Sequence, residues 1–311
     1  MLAQMRPISV LGALWNMDTY SEVKMAFSLK SGAMVGMVAL GLTACGSAGI
    51  DPTEQPNSDS EEFGFRRIKY LALGDSIAFG MNPTVVPPGD PGDYKGYPEV
   101  IGTIIPHAVT NAGCPGETSG SLLSPLAPDN GCRAWKGAFS LHADYETTQI
   151  EFALAYVAAN PDAKYVSINI GANDLFLVQK KCLGDLACIQ AALPAALGQY
   201  GQNLGATFTL LRTAGFKGKF ITLTTYATNY NDPLQTAALS AMNGVAAQVT
   251  AAFGGVVADG YGTFKFFADK NGGDSCAAGL LIKLANGTCD IHPSQKGRDI
   301  LAVSVVAAAV R

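Results

Sequence analysis

Ile68-Lys69-Tyr70-Leu71-Ala72-Leu73-Gly74-Asp75-Ser76 is the stretch from which the fold is read. Its short apolar run, stopped by a glycine, predicts a buried β-strand. Further strands are predicted at residues 108–110, 164–170, 220–225 and 255–257. Between them lie helical patterns over residues 97–105, 147–159, 188–214, 233–253 and 298–310. Pro194 marks a kink or a second start in the third of these. Residues 81–96 and 115–139 are rich in polar and turn-forming residues and predict loops. Short apolar strands alternating with helices imply a largely parallel sheet covered on both faces.

Sites in open α/β sheets form outside the carboxyl ends of the strands. The residues just beyond each predicted strand are therefore informative. The first strand leads into Gly74-Asp75-Ser76. The second leads into Asn111-Ala112-Gly113-Cys114-Pro115-Gly116-Glu117-Thr118. The third leads into Gly171-Ala172-Asn173-Asp174, and Asp290-Ile291-His292-Pro293 lies near the C-terminus. Gly-Asp-Ser alone is a common tripeptide, but four such blocks in this order form a specific pattern.

Together these blocks resemble the SGNH (GDSL) hydrolase superfamily over residues 66–311. The resemblance implies an α/β fold, a three-layer α/β/α sandwich of flavodoxin-like type with a mostly parallel sheet. It also implies hydrolysis of carboxylic esters, as in a lipase or esterase, with no metal or organic cofactor. Ser76 would be the nucleophile and form an acyl-enzyme. A neutral hydroxyl is a poor nucleophile and needs a base within reach. His292 would take its proton and pass it to the leaving alcohol. The tetrahedral intermediate carries an oxyanion that needs preorganised donors. The family pattern supplies them as the backbone N–H of Ser76, the backbone N–H of Gly116 and the side-chain amide of Asn173. Gly113 competes with Gly116 for that role, and the acidic residue and threonine after Gly116 favour Gly116. Asp75 is expected to organise the turn without reacting. His107 and His142 lack a motif setting and are expected to be structural.

The sequence departs from the family at the acid. The usual position, three residues before the histidine, is Cys289. Asp290 stands two residues before His292 and is the favoured acid. A backbone carbonyl near it, or an acid from elsewhere, are the other readings. Two alternative functions remain at this point: a carbohydrate O-acetyl esterase, and a non-catalytic surface-binding lipoprotein that keeps the fold.

Composition agrees with one globular domain. The 311 residues are 48% hydrophobic and 15% charged, with a formal net charge of −4. No basic run interleaved with aromatics points to nucleic acid, so the expected partner is a small-molecule or lipid ester, bound by a monomer. The N-terminal part reads differently. Lys30 precedes an apolar stretch over residues 32–43 that is too short to span a bilayer, and Leu42-Thr43-Ala44-Cys45 resembles a bacterial lipobox. Residues 1–45 therefore read as an N-terminal extension and lipoprotein signal peptide, with Met25 as the expected true start and Cys45 as the lipidated residue. Residues 46–65, rich in Ser, Pro, Asp and Glu, read as a disordered tether. An exported cell-envelope lipoprotein, held to the membrane by an N-terminal lipid, is the expectation.

Six further cysteines fit export. They allow many connectivities, of which the nearest-neighbour set is the simplest: Cys114–Cys132, Cys182–Cys188 and Cys276–Cys289. The first would fix the loop of Gly116 and the last the approach to His292, each worth on the order of 3 kcal/mol in the chain-entropy model. A zinc site is disfavoured, because there is no Cys-x-x-Cys and no His-Glu-x-x-His.

Overall fold

The structure, a computed structural model, describes residues 68–86, 88–105 and 107–311. The expected leader, Cys45 and the tether over residues 46–65 lie outside the described residues. Strands β1 (Ile68–Gly74), β2 (His107–Asn111), β3 (Tyr165–Asn169), β4 (Lys219–Leu223) and β5 (Val256–Ala258) form one five-stranded sheet in the order β2-β1-β3-β4-β5. All four neighbouring pairs are parallel. Parallel strands need crossovers, and helices supply them.

Strand residues alternate between the two faces, so each strand feeds two cores. Leu71, Leu73, Val166, Ile168 and Phe220 face one core, which is closed by α4 (Gln149–Ala159), α6 (Leu186–Thr213) and α7 (Pro233–Ala252). Phe208 of α6 stacks on Phe220 there, with ring centroids 4.3 Å apart. Tyr70, Ala72, Ile221, Leu223 and Ala258 face the other core. It is closed by α2 (Tyr97–Ile104), α8 (Gly260–Asp269) and α9 (Gln295–Ala309). Burying such side chains fully is worth about 1.5–3 kcal/mol each. Three layers, α/β/α, result.

Local signals set the helix ends. Thr148 accepts from Glu151 N and forms a capping box with Glu151 at the start of α4. Asp232 caps α7 just before Pro233, and Ser294 caps α9 two residues after His292. Pro194 lies inside α6, which runs through it as one helix of 28 residues.

Several elements go beyond those expected from the sequence. A short helix, α3 (Cys132–Lys136), interrupts the predicted loop over 115–139. Helix α5 (Ala172–Lys181) comes directly after β3, and α8 comes directly after β5. An antiparallel hairpin, β6 (Leu281–Lys283) and β7 (Cys289–Pro293), carries His292. Its turn contains Asn286-Gly287, with Gly287 at φ +85°, the left-handed conformation that favours glycine. In that turn the Asn286 side chain accepts from Thr288 N at 3.0 Å.

The strand order reverses between β1 and β3. In such sheets the crevice at that switch point is where ligands bind. The four sequence blocks converge there. Blocks one to three leave the C-terminal ends of β1, β2 and β3, which are adjacent strands. The block on β7 joins them because α1 (Ser76–Phe79) packs against β7 as well as against β1 and β3.

Candidate active site

Ser76 is the first residue of α1, and its backbone is clamped from three sides. Gly74 ends β1 at φ +138°, and a Cβ there would lie 2.1 Å from the carbonyl oxygen of Asn169. Only glycine fits so close to β3. Gln149, fully buried, holds both backbone groups of Gly74: Gly74 N donates to Oε1 at 2.6 Å and Nε2 donates to Gly74 O at 2.9 Å. Cys114 N donates to the same carbonyl at 3.1 Å. Asp75 caps α1 by accepting from Ile77 N at 2.9 Å, the organising role expected of it. Ser76 itself is half-buried. Among the described residues its hydroxyl has no hydrogen-bond partner and its N–H has no acceptor.

Gly116 adopts φ +85°, and a Cβ would lie 2.6 Å from Asn130 O. Its carbonyl accepts from Asn130 N at 2.8 Å, whereas its own N–H has no acceptor among the described residues. The Gly113 N–H, in contrast, is committed to Asn111 Oδ1 at 2.9 Å. Asn173 lies buried on the first turn of α5. Its Nδ2 donates to Glu117 O at 2.9 Å and approaches Asp75 Oδ2 at 3.4 Å. That amide therefore sits between the neighbour of Gly116 and the neighbour of Ser76. Asp174 fastens the two loops together, accepting from Ser119 N at 2.9 Å and Ser119 Oγ at 2.5 Å.

His292 Nδ1 is hydrogen-bonded to Asp290 Oδ1. The spacing of two has a physical reason. Alternate residues of a strand point to the same face, so Asp290 and His292 of β7 are neighbours. The same Asp290 oxygen also accepts from the backbone N–H of His292 at 2.9 Å. The hydrogen bond from His292 is the main cause that holds the Asp290 carboxyl below its usual range. Tyr226 O–H donates to Ile291 O at 2.7 Å, and the Cys276–Cys289 disulfide ties the start of β7 back to the loop after α8. No hydrogen bond joins Ser76 Oγ to His292 here; such bonds often tighten only when substrate binds.

The disulfides among the described residues pair nearest neighbours: Cys114–Cys132, Cys182–Cys188 and Cys276–Cys289. Such bonds belong to oxidising, extracytoplasmic compartments. Among the described residues, no helix is long and apolar enough to cross a membrane. Cys114, Glu117 and Cys132 bring three metal-type ligand atoms together, but both sulfurs are engaged in the disulfide.

Acidic groups crowd the floor of the site. Burial pushes the Asp75 carboxyl up to about 7, with Asp174 and Glu117 adding to the rise. Burial likewise raises Glu117 to about 7, against the hydrogen bond from Ser121. Burial also raises Asp174. In the unfolded chain such carboxyls titrate near about 4. Asp75 and Glu117 therefore hold protons in the folded state that the unfolded state releases between about pH 4 and about 7. Stability falls as pH rises through that window. The contribution of Asp290 has the opposite sign and a separate window, being lost only as pH falls below its unfolded value. Thermal melts from pH 4.5 to 7.5 should show a falling Tm; a rising Tm would contradict the uncharged burial of Asp75 and Glu117.

A cavity of about 790 Å³ opens behind the Gly116 loop. Glu117, Arg133, Lys136 and Tyr145 are among the residues that line it, and Ser76, Asn173 and His292 are not. Asp129, Asp144 and Glu146 line it as well, so it offers charges of both signs.

The structure thus brings Ser76, Gly116, Asn173, Asp290 and His292 to one end of the sheet and leaves His107 and His142 outside the cluster. His142 Nε2 bonds Phe79 O at 2.9 Å, and its ring packs on Phe79. The supporting residues Gln149, Asn130, Ser119 and Tyr226 have no signal in the sequence, because each has a side-chain bond to the site that spans 43 or more positions. The exception is Asp174, which sits beside Asn173 in its motif.

The sequence profile described as the GDSL-like Lipase/Acylhydrolase family matches residues 72–300. No curated protein matches the chain. Similar solved structures include an acetylxylan esterase from Geobacillus stearothermophilus, at 19% identity and a TM-score of 0.48, covering 78% of this chain and 94% of that one. A lipase from a goat rumen metagenome is similar at 17% identity and a TM-score of 0.49, covering 78% and 97% of the two chains.

Proposed function

Because the chain belongs to the GDSL-like lipase/acylhydrolase family, we propose that it hydrolyses carboxylic esters through an acyl-enzyme on Ser76. The observation that carries this reading is the position of the Asn173 amide. It lies between Glu117, next to Gly116, and Asp75, next to Ser76. That position supports an oxyanion hole formed by the Asn173 amide with the backbone N–H groups of Ser76 and Gly116, which have no acceptor among the described residues.

The reaction runs in two halves. His292 Nε2 takes the Ser76 proton as Oγ attacks the ester carbon. The carbonyl oxygen becomes an oxyanion held by Ser76 N–H, Gly116 N–H and Asn173 Nδ2. His292 then protonates the departing alcohol, leaving the acyl-enzyme. Water, deprotonated by His292, repeats the attack, and His292 returns that proton to Ser76 Oγ as the acid leaves. Asp290 keeps the Nδ1 proton in place, which leaves Nε2 free to accept, and stabilises the imidazolium that forms.

The substrate is a small-molecule or lipid ester taken from outside the cell. The lipidated Cys45 anchors the enzyme to the membrane, and residues 46–65 act as the tether. Full-length protein assayed on p-nitrophenyl esters from acetate to palmitate tests the activity. Turnover that survives removal of contaminating esterases and falls with acyl length indicates an acetyl esterase. Turnover that rises with length indicates a lipase. No turnover on any member would leave the non-catalytic binding role.

A further inference from the structure

An amide such as that of Asn173 has a donor end and an acceptor end, and only one of them stabilises an oxyanion. Turned by 180°, it would present Oδ1 to the developing negative charge. Its direction is set from both ends: Glu117 O accepts from Nδ2, and two side chains, Lys180 and Asn130, commit Oδ1.

Lys180, on the last turn of α5, is hydrogen-bonded through Nζ to the side-chain oxygen of Asn130. A lysine ammonium has donors and no acceptor. It therefore forces the oxygen of the Asn130 amide outward, toward itself. The Asn130 Nδ2 is left facing inward, where it donates to Asn173 Oδ1 at 2.7 Å. That commits the oxygen of Asn173, and leaves its Nδ2 to face Glu117 O and the site. The main chain of Asn130 takes part as well: its N–H donates to Gly116 O at 2.8 Å. One residue thus touches the carbonyl of the glycine whose N–H is one oxyanion donor and the side chain that supplies another. The Cys114–Cys132 disulfide fixes the same segment two residues on.

We propose that Asn130 is a positioning residue whose amide, polarised by Lys180, fixes which end of the Asn173 amide meets the oxyanion. This rests on the oxyanion role of Asn173. Polarity is propagated through three residues from an exposed cation to a buried catalytic group, with Asn130 as the inverter.

Asn130→Asp tests it, because it keeps the shape and reverses the inner end. The new oxygen cannot donate to Asn173 Oδ1, while the carboxylate still pairs with Lys180, so the fold is retained. On p-nitrophenyl acetate, the full-length variant should lose about 100-fold or more in kcat, with KM within about threefold of wild type. The Ki of an alkylboronic acid, whose tetrahedral adduct places an oxygen in the hole, should rise by a similar factor. A residue that merely held the loop would lower Tm and the active fraction without moving that Ki. Lys180→Gln, which still offers a donor, should keep kcat within about threefold, and Lys180→Glu, which only accepts, should lower it further than Lys180→Gln does. Asn173→Ala is measured alongside. If Asn173→Ala loses about 100-fold while Asn130→Asp matches wild type in kcat and Ki, the relay is wrong and the oxyanion role of Asn173 stands. If Asn173→Ala also matches wild type, that role falls too. Equal activity of the two Lys180 variants would overturn the part assigned to Lys180.

Discussion

Ser76→Ala lowers kcat by about a millionfold, the loss seen when the nucleophile of a serine hydrolase is removed. Three features lead to that size. The hydroxyl stands on a turn that is clamped by Gln149 and Cys114, so no other side chain slides into its place. The other hydroxyl in the four motif blocks, that of Thr118, is committed to Ser121 Oγ and Pro128 O, whereas that of Ser76 has no partner among the described residues. And without it His292 has no proton to take. Folding is little affected, because the hydroxyl has no hydrogen-bond partner among the described residues to lose. The variant should therefore melt within a few degrees of wild type while losing ester turnover. Wild-type-like turnover by Ser76→Ala would place the chemistry elsewhere.

Asp290 carries the second large effect, and its two substitutions should differ. Asp290→Ala removes the oxygen that holds His292 Nδ1. The ring is then free to take the wrong tautomer, and kcat falls by about 10,000-fold, as for loss of the tautomer in a serine triad. Asp290→Asn is milder. The backbone N–H of His292 donates to that same oxygen at 2.9 Å, so the asparagine keeps its oxygen, not its NH₂, toward His292. Orientation survives and only the charge is lost. A charge-assisted hydrogen bond exceeds a neutral one by about 1–2 kcal/mol, a loss of about 5- to 30-fold. Steady-state kinetics of both variants check this. Equal losses would show that the negative charge, not the position of one oxygen, is what His292 requires.

Much of this architecture is legible in the sequence alone. The five parallel strands lie within a residue or two of the apolar runs that predict them, since short apolar runs stopped by Gly or Pro are local signals. The chemistry-bearing residues are legible for a related reason. Ser76, Gly116 and Asn173 each come after a strand end, where the backbone must turn and where motif residues are contiguous. The hairpin escapes such a reading although Asn286-Gly287 is a turn signal, because β6 is three residues long and pairs mainly with β7. Helix α8 escapes it because Gly260 and Gly262 weaken its start, and packing of Phe264 onto Tyr226 outweighs that propensity. The acid is ambiguous in the sequence because spacing has meaning only once the local backbone is known. In an extended strand a spacing of two puts Asp290 beside His292; in a helix it would not. The supporting residues lie furthest from view. Gln149 reaches Gly74 across 75 positions and Asn130 reaches Asn173 across 43, and nothing local to either residue announces the partner.

The most direct test of the central claim is covalent. A fluorophosphonate reacts with a serine only when a base activates it and an oxyanion hole accepts the P=O oxygen. Full-length protein treated with such a reagent and mapped by peptide mass spectrometry should carry one adduct, on Ser76, and none in the His292→Ala variant. A folded protein that takes no label, or takes it at another serine, would contradict the assignment of Ser76 as nucleophile.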